Sequence, residues 1–295
     1  MESLLQWGIN FIIGIQQIQS PVVDYVFRTI TFMGEEEFYL LLLPLIFWCI
    51  DFGLGVRLTI IFLLSSWLNI NLKDLFQQPH PFDLDQSVMI ASVNGYGLPS
   101  NHAQSAVIVW GSIGLWAHKS WFWVVAILLM ILIGFSRVYL GVHFPTDVLA
   151  GWAIGAFLLG LFVLAGSAIG RRFIQSNLWL QLVLTLAVPI VLLFVHPVSS
   201  TTSALGTLAG AGVGLVLTHR YISFNARGLW WYRAIRFIIG SIVVFALYLG
   251  LKAAFPGEES SLYVAFRFIR YGLIGVWVTL GAPWLFRKLR LAGVS

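Results

Sequence analysis

The chain has 295 residues, of which 59% are hydrophobic and 10% are charged, and its mean hydropathy is +0.89. Soluble globular domains carry about 25% charged residues, so this composition excludes an ordinary soluble domain. The net charge is +5, and no basic groove with interleaved aromatic residues points to nucleic acid. The single cysteine, Cys49, excludes an intramolecular disulfide and a cysteine-based metal cage.

The first 33 residues mix short apolar stretches with polar breaks at Gln16, Gln17, Gln19 and Pro21. They are too short and too mixed for a membrane span, so we expect helices that lie in the membrane interface. The N-terminus carries Glu2 instead of a basic cluster and lacks a small-residue cleavage site. A removable signal peptide is therefore not expected.

From residue 36 onward, apolar runs of roughly 16–24 residues alternate with short polar breaks, which is the length a helix needs to cross about 30 Å of hydrocarbon. The ten-residue alternation typical of a membrane barrel is not seen. The pattern predicts an all-α polytopic transmembrane helical bundle. About nine spans are expected, near residues 36–51, 54–72, 102–117, 121–139, 146–169, 177–195, 201–218, 233–251 and 263–286.

The simplest domain organisation is one membrane domain over residues 1–295, because no long linker or repeat interrupts the spans. Residues 54–168 hold the polar motifs described below, and residues 177–290 form additional transmembrane helices. Glycines at four-residue spacing, at 206, 210 and 214 and again at 151 and 155, predict close helix packing. A dinucleotide-binding loop would instead need a preceding strand.

Charged residues near the span ends divide unequally between the two faces. Most of the 17 basic residues fall on the face that also holds the C-terminus, where Asp51 is the only acid. Cytoplasmic loops carry the excess of Lys and Arg, so this face is predicted to be cytoplasmic. The opposite face, which holds the polar motifs, is then predicted to face the periplasm or the exterior.

Three polar segments end on that predicted outward face, at residues 73–81, 99–102 and 136–147. Ionisable groups at membrane depth are costly and usually functional. Arg137 can hold phosphate oxygens in a fork, His143 can attack or carry a proton, and Asp147 can fix the tautomer of that histidine. Because the three segments share one membrane level, we expect one site suited to phosphoryl transfer.

The three segments resemble the signature of the type 2 phosphatidic acid phosphatase and haloperoxidase superfamily, a family that includes membrane lipid phosphatases. Its patterns are K-x6-R-P, P-S-G-H and S-R-x5-H-x3-D. The third pattern matches at every defined position, whereas His80 replaces the Arg of the first and Asn101 the Gly of the second. The resemblance covers residues 54–168. The helices after residue 177 resemble those of the sphingosine-phosphate and dolichyl-diphosphate branches.

The resemblance implies a role for each matched residue. His143 is the expected nucleophile, His102 the general acid and Asp147 the carboxylate that orients His143. The expected phosphate-binding residues are Lys73, His80, Ser100, Asn101 and Arg137. Arg267 and Arg270 are candidates for contacting a lipid headgroup, with ordinary interfacial anchoring as the alternative. No metal ion and no cofactor are expected, since no His and carboxylate spacing resembles a metal site.

The two departures from the patterns affect phosphate binding. A histidine carries full charge only below about pH 6.5, so His80 should hold phosphate more weakly than Arg, or favour activity in mild acid. Asn101 adds bulk beside the first amides of its helix, where glycine would also permit an unusual backbone angle.

The sequence therefore predicts an integral-membrane lipid phosphatase that acts at the outer membrane face through a phosphohistidine. Its expected partners are membrane lipids and a lipid phosphate or polyprenyl diphosphate substrate, with no nucleic acid; the oligomeric state stays open. A bacterial inner membrane is the expected location, with the C-terminus in the cytoplasm. Alternatives are a lipid phosphotransferase and a catalytically impaired phospholipid-binding protein; a transporter is disfavoured, because the ionisable residues avoid the midplane.

Overall fold

A computed structural model describes residues 2–292, and these residues form helices without a β-strand. The α-helices are α1 (Glu2–Gln16), α2 (Pro21–Phe32), α3 (Glu36–Leu45), α4 (Phe52–Phe76), α5 (Pro81–Leu84), α6 (Asn101–Ala117), α7 (Ser120–Tyr139), α8 (Pro145–Gln175), α9 (Leu178–Val195), α10 (Ser199–Tyr221), α11 (Trp230–Ala254), α12 (Tyr263–Val276) and α13 (Ala282–Lys288). Single π-helical turns occupy Ile46–Ile50 and Trp277–Gly281, and a 3₁₀ turn occupies Gln86–Val88.

Within the described residues, 7 helical stretches are long and apolar enough to cross a membrane. They begin at Phe52, Ser120, Pro145, Leu178, Ser199, Trp230 and Tyr263. This confirms the predicted all-α polytopic class. The expected span at 102–117 coincides with α6, whose 17 residues make it shorter than each of the 7 stretches, and the one at 36–51 coincides with α3 and the π-helical turn after it. Helix α3 changes to a π-helical turn after Pro44, and α6 ends where His118 takes a left-handed conformation with φ of 52°.

The described chain divides into two compact units. The first contains the residues up to Tyr39 and Leu68–Leu164, and the second contains Leu40–Trp67 and the residues from Ala165 onward. The turn before Tyr39 and both N-terminal helices belong to the first unit. The predicted organisation, one membrane domain with a core at 54–168 and additional helices at 177–290, stays a prediction. All three polar segments lie in the first unit.

The N-terminal helices contribute to the core of the first unit. Helices α1 and α2 both pack against α7. On α1, Ile9 and Ile12 are buried in a cluster with Phe144, which lies within the third polar segment, and Val148, which directly follows it. The opposite side of α1 leaves large apolar side chains such as Trp7 exposed, as an interfacial helix would.

The second unit is organised around α10, which packs between α9 and α12. A Cβ atom on Gly206 would lie 2.6 Å from the carbonyl oxygen of Phe268, and one on Gly210 would overlap the backbone of Gly272. The predicted close helix packing is confirmed here. In the first unit, Gly151 allows the same approach of α8 to the start of α6.

Candidate active site

The loop between α7 and α8 carries the third polar segment and folds back on the end of α7. The carbonyl of Arg137 accepts hydrogen bonds from the amides of Val142 and His143, at 3.2 and 3.3 Å. Gly141 has φ of +73° and lies directly against the backbone of Val88, so both its conformation and its surroundings require glycine. The loop therefore holds His143 beside the last turn of α7.

His143 and Asp147 form a buried pair. Nδ1 of His143 lies 3.3 Å from Oδ2 of Asp147, which also accepts the amide of Phe144 at 2.9 Å. The other carboxylate oxygen accepts the side-chain amide of Gln78 at 2.6 Å. Since this carboxylate is surrounded by donors, it acts as an acceptor and the imidazole proton lies on Nδ1. Nε2 of His143 is then the nitrogen with a free lone pair.

The surroundings of His143 favour its neutral form. Burial lowers the pKa of His143 well below its ordinary value, and the positive charges of Lys73 and Arg137 lower it further. His80 and His102 act in the same direction. Four residues from all three polar segments are thus close enough to His143 to affect its charge. At neutral pH the imidazole is uncharged, as a nucleophile must be.

The second polar segment joins the third through the backbone. Ser100 precedes α6, and its amide donates to the carbonyl of Asp147 at 3.0 Å. Asn101 is the first residue of α6, and its side-chain oxygen accepts the hydroxyl of Ser105 at 3.4 Å. Asn101 is not among the described residues with positive φ, so replacing glycine there causes no backbone strain.

His102 is paired with a residue that the sequence analysis missed. Nε2 of His102 lies 3.2 Å from Oε1 of Glu35, in the turn between α2 and α3. The same oxygen lies 3.8 Å from the guanidinium of Arg137, which also donates to the hydroxyl of Thr31 at 2.7 Å. The available signal in the sequence was the run of three glutamates at 35–37 in an otherwise apolar region.

His80 lies beside the candidate nucleophile, with 5.3 Å between the centroids of the two rings. It is buried, and its ring stacks on that of Phe82. Nδ1 of His80 is 2.5 Å from the carbonyl oxygen of Val142. A carbonyl can only accept, so Nδ1 carries a proton, and Nε2 becomes a donor only when the ring is doubly protonated. Lys73, in the last turn of α4, donates to the carbonyl of Tyr96.

Three buried polar atoms of these segments have no hydrogen-bond partner among the described residues. They are Nε2 of His80, Oγ of Ser100 and Nε of Arg137. Buried polar groups are nearly always paired, so three unpaired ones in one site are unusual. A hydroxyl, a guanidinium N–H and the free amides at the start of α6 are donors that suit a phosphate oxyanion.

The loop before α6 is fixed to the third segment. The amides of Ile90 and Ala91 both donate to the carbonyl of Leu140 at 3.2 Å. The side chain of Gln16 donates to the carbonyls of Val88 and Tyr139, at 2.8 and 2.9 Å. The position of Gln16 near the end of an apolar helix gave no sign of this role.

Arg267 and Arg270 belong to the second unit. Arg267 donates to the carbonyl of Ser199 at 2.9 Å and to the hydroxyl of Ser203 at 2.8 Å. Both guanidinium groups lie over the ring of Tyr271, at 5.4 and 5.0 Å from its centroid. These contacts favour an anchoring role for Arg267 inside its own unit, and a headgroup contact stays a prediction for both residues.

Two family models match the chain. One, described as the PAP2 superfamily, covers residues 54–171, and the other, described as PAP2 superfamily phosphatase, transmembrane extension, covers residues 202–294. Phosphatidylglycerophosphatase B of Bacillus subtilis is 31% identical over 161 residues, which span 49% of this chain and 75% of that protein. The chain belongs to the PAP2 superfamily. The expected resemblance to type 2 phosphatidic acid phosphatases is confirmed.

The alignments with other PAP2 relatives are longer than the match at residues 54–171. Lipid phosphate phosphatase delta of Arabidopsis thaliana is 30% identical over 206 residues, 64% of this chain and 49% of that protein. Human sphingosine-1-phosphate phosphatase 2 is 26% identical over 316 residues, 90% of this chain and 78% of that protein. The chain therefore spans about half the length of the plant relative. The family and the apolar helices together make this chain an integral membrane protein.

Proposed function

We propose that this PAP2 protein is an integral-membrane lipid phosphatase that hydrolyses the phosphate or diphosphate ester of a lipid through a phosphohistidine. The observation that carries the proposal is the pair of His143 and Asp147, in which Nδ1 faces the carboxylate and Nε2 is left to attack. A neutral, oriented imidazole beside several phosphate-binding donors is what phosphoryl transfer to histidine needs.

In the first half of the reaction, Nε2 of His143 attacks phosphorus. The N–P bond forms while the bond from phosphorus to the lipid oxygen breaks, and His102 donates a proton to the departing oxygen. Lys73 and Arg137 offset the charge on the phosphoryl oxygens, and the start of α6 supplies amide donors. Asp147 stabilises the positive charge that develops on the imidazole of His143.

In the second half, water attacks phosphorus and the N–P bond breaks. His102, now neutral, accepts a proton from that water as general base. Inorganic phosphate leaves and His143 returns to its neutral form. Transfer to the hydroxyl of a second lipid in place of water would give the phosphotransferase alternative with the same residues.

The proposed substrates are lipids with a terminal phosphate. The B. subtilis, human and Arabidopsis relatives are named for phosphatidylglycerophosphate, sphingosine-1-phosphate and lipid phosphates respectively. All three names describe a phosphate monoester on a lipid, so we place this class first and a polyprenyl diphosphate second. The lipid tail would remain in the bilayer while the phosphate reaches His143.

The distribution of charge supports an outward orientation of the site. The face opposite the motifs carries the excess of Lys and Arg expected of cytoplasmic loops. We therefore propose a bacterial inner membrane location, with the site facing the periplasm or exterior and the C-terminus in the cytoplasm.

The proposal is tested by phosphate release from the full chain in detergent micelles. Phosphatidate, sphingosine-1-phosphate, phosphatidylglycerophosphate and a polyprenyl diphosphate are supplied in parallel, with wild type, His143→Ala and the control His219→Ala. His219 is exposed near the end of α10, in the second unit. Release by wild type and the control, together with its loss in His143→Ala, is the expected result.

Two other outcomes would favour the alternatives. Release that persists in His143→Ala would overturn the phosphohistidine route. Binding of these lipids without phosphate release by any protein would favour the impaired lipid-binding protein. Addition of an acceptor lipid, with labelled phosphate followed into product, separates hydrolysis from transfer.

A further inference from the structure

The site contains two histidines, and each is paired with its own carboxylate. His143 is paired with Asp147, as the family pattern implies. His102 is paired with Glu35, which lies outside all three patterns and outside the residues matched by the family models. The contact between Nε2 of His102 and Oε1 of Glu35 measures 3.2 Å, close to that of the first pair.

The turn that carries Glu35 is built against His102. Gly34 is buried against the imidazole of His102, and a Cβ atom there would overlap the ring. The amides of Gly34 and Glu35 donate to the carbonyls of Thr31 and Phe32, at 2.9 and 3.0 Å, which continues α2 into the turn. The turn therefore fixes both the backbone beneath the ring of His102 and the carboxylate at its edge.

We propose that Glu35 is a positioning residue for His102: it orients this imidazole and stabilises the proton that a general acid must carry. This inference rests on the proposed phosphatase function. An imidazolium that must give a proton to a lipid oxygen needs a nearby negative charge, because the site otherwise concentrates positive charge.

The charged groups around His102 explain that need. Burial lowers the pKa of His102 to about 4, and the charges of Arg137 from α7 and Lys73 from α4 lower it further, whereas Glu35 raises it. His143 lies near enough to interact as well. The charges of Arg137 and Lys73 therefore disfavour a protonated His102. Glu35 is the acid among the described residues that contacts His102. The hydrogen bond with His102 lowers the pKa of Glu35, so its carboxyl is ionised at neutral pH although partial burial opposes this. Tyr39, one helical turn along α3, also faces Glu35.

The test compares Glu35→Gln with Glu35→Asp and the control Glu37→Gln in the full chain. Glu37 is an exposed neighbour of the same charge. For each protein, kcat and KM for sphingosine-1-phosphate are measured from pH 4 to pH 9. If another lipid proves to be the substrate, the same profile is measured with that lipid.

For Glu35→Gln we expect a fall in kcat of about 10- to 100-fold, which is part of the roughly 10²–10⁴-fold that a general acid contributes. The alkaline limb of the profile should also move to lower pH, since the imidazolium loses its partner charge. Glu35→Asp restores the charge and should keep the alkaline limb near its wild-type position. Glu37→Gln should match wild type.

Each contrary result has a distinct meaning. An unchanged alkaline limb in Glu35→Gln would overturn the positioning role. A lower KM with kcat unchanged would overturn it too, since Glu35 would then only compete with phosphate for Arg137. If Glu35→Gln does not fold, Glu35→Asp becomes the test. An alkaline limb that moves away from its wild-type position although the negative charge is kept would likewise contradict the role. Failure of the phosphatase proposal would appear instead as a wild type without phosphate release.

Discussion

The amide of Ser100 donates to the carbonyl of Asp147 at 3.0 Å, and this hydrogen bond joins the start of α6 to the first turn of α8. The side chain of the same Asp147 holds Nδ1 of His143. One residue therefore connects the helix that carries the proposed general acid with the proposed nucleophile. The geometry of both histidines depends on it.

Asp147→Asn should leave the fold intact and reduce kcat by about 10³–10⁴-fold, because an amide cannot fix the tautomer or offset the charge of His143. The side-chain nitrogen of the new residue would also face the amide donors of Gln78 or Phe144. Measurement of kcat with a lipid phosphate, beside a thermal unfolding midpoint, checks this. A kcat within a few-fold of wild type would show that the carboxylate has only a structural role.

His80→Arg should flatten the dependence of activity on pH. His80 needs a second proton before Nε2 can donate to phosphate, whereas arginine is always charged. Activity should rise toward mild acid as His80 gains its second proton. His143 does not oppose that rise in activity, because burial holds the pKa of His143 well below its ordinary value and the imidazole stays neutral. We therefore expect wild-type kcat/KM to increase from pH 7 to pH 5, and the increase to be smaller in His80→Arg.

The decisive measurement is kcat/KM of wild type and of His80→Arg across this pH range in one buffer system. Phe82→Leu, which changes the stacking partner of His80 without adding a charge, serves as the comparison. An equal rise in wild type and His80→Arg would assign the pH dependence to His102 and exclude His80 from phosphate binding.

Gly34→Ala should reduce activity by at least about tenfold, because the added methyl overlaps the ring of His102 and must displace it. Gly14→Ala on α1 is the matched control, since a Cβ atom there meets nothing within 4 Å. Phosphate release by the two variants, at equal amounts of folded protein, tests this. Full activity in Gly34→Ala would mean that the turn and His102 are not packed as described.

Gly210→Ala should destabilise the second unit by about 1–3 kcal/mol, the usual effect of overpacking a tight contact. The new Cβ would overlap the backbone of Gly272 on α12. Gly250→Ala on α11 adds the same atom where nothing lies within 4 Å, and helix propensity should make it neutral or slightly stabilising. Thermal unfolding of both variants in the same detergent compares them, and equal midpoints would contradict the close packing.

The sequence predicted the helical class, the close glycine contacts and the eight polar residues that the first unit brings together. The helical class and the glycine contacts are confirmed, because apolar run length and glycine spacing are local patterns in the chain. The three ordered motifs are local patterns too, and the roles of their eight residues stay predictions. The sequence did not predict that Glu35, Gln78 and Gln16 form hydrogen bonds in or beside the site. Each of these reaches the site through a tertiary contact, and nothing in its neighbouring residues reveals the partner.

The span count differed for a related reason. Residues 36–51 are apolar enough for a span, yet the helix changes to a π-helical turn after Pro44. Residues 101–117 form a helix with the predicted bounds, but its 17 residues are fewer than those of the 7 stretches. Hydropathy measures the apolar length of a segment and is insensitive to such local interruptions.

The most direct test of the account is to trap the phosphorylated enzyme. The full chain is mixed with a lipid carrying a radiolabelled phosphate, quenched in alkali within milliseconds to seconds, and digested for peptide mapping. We predict label that survives base, is lost in acid, maps to His143 and is missing from His143→Ala. Label on another side chain, or phosphate release by His143→Ala at the wild-type rate, would contradict the central claim that His143 takes the phosphoryl group.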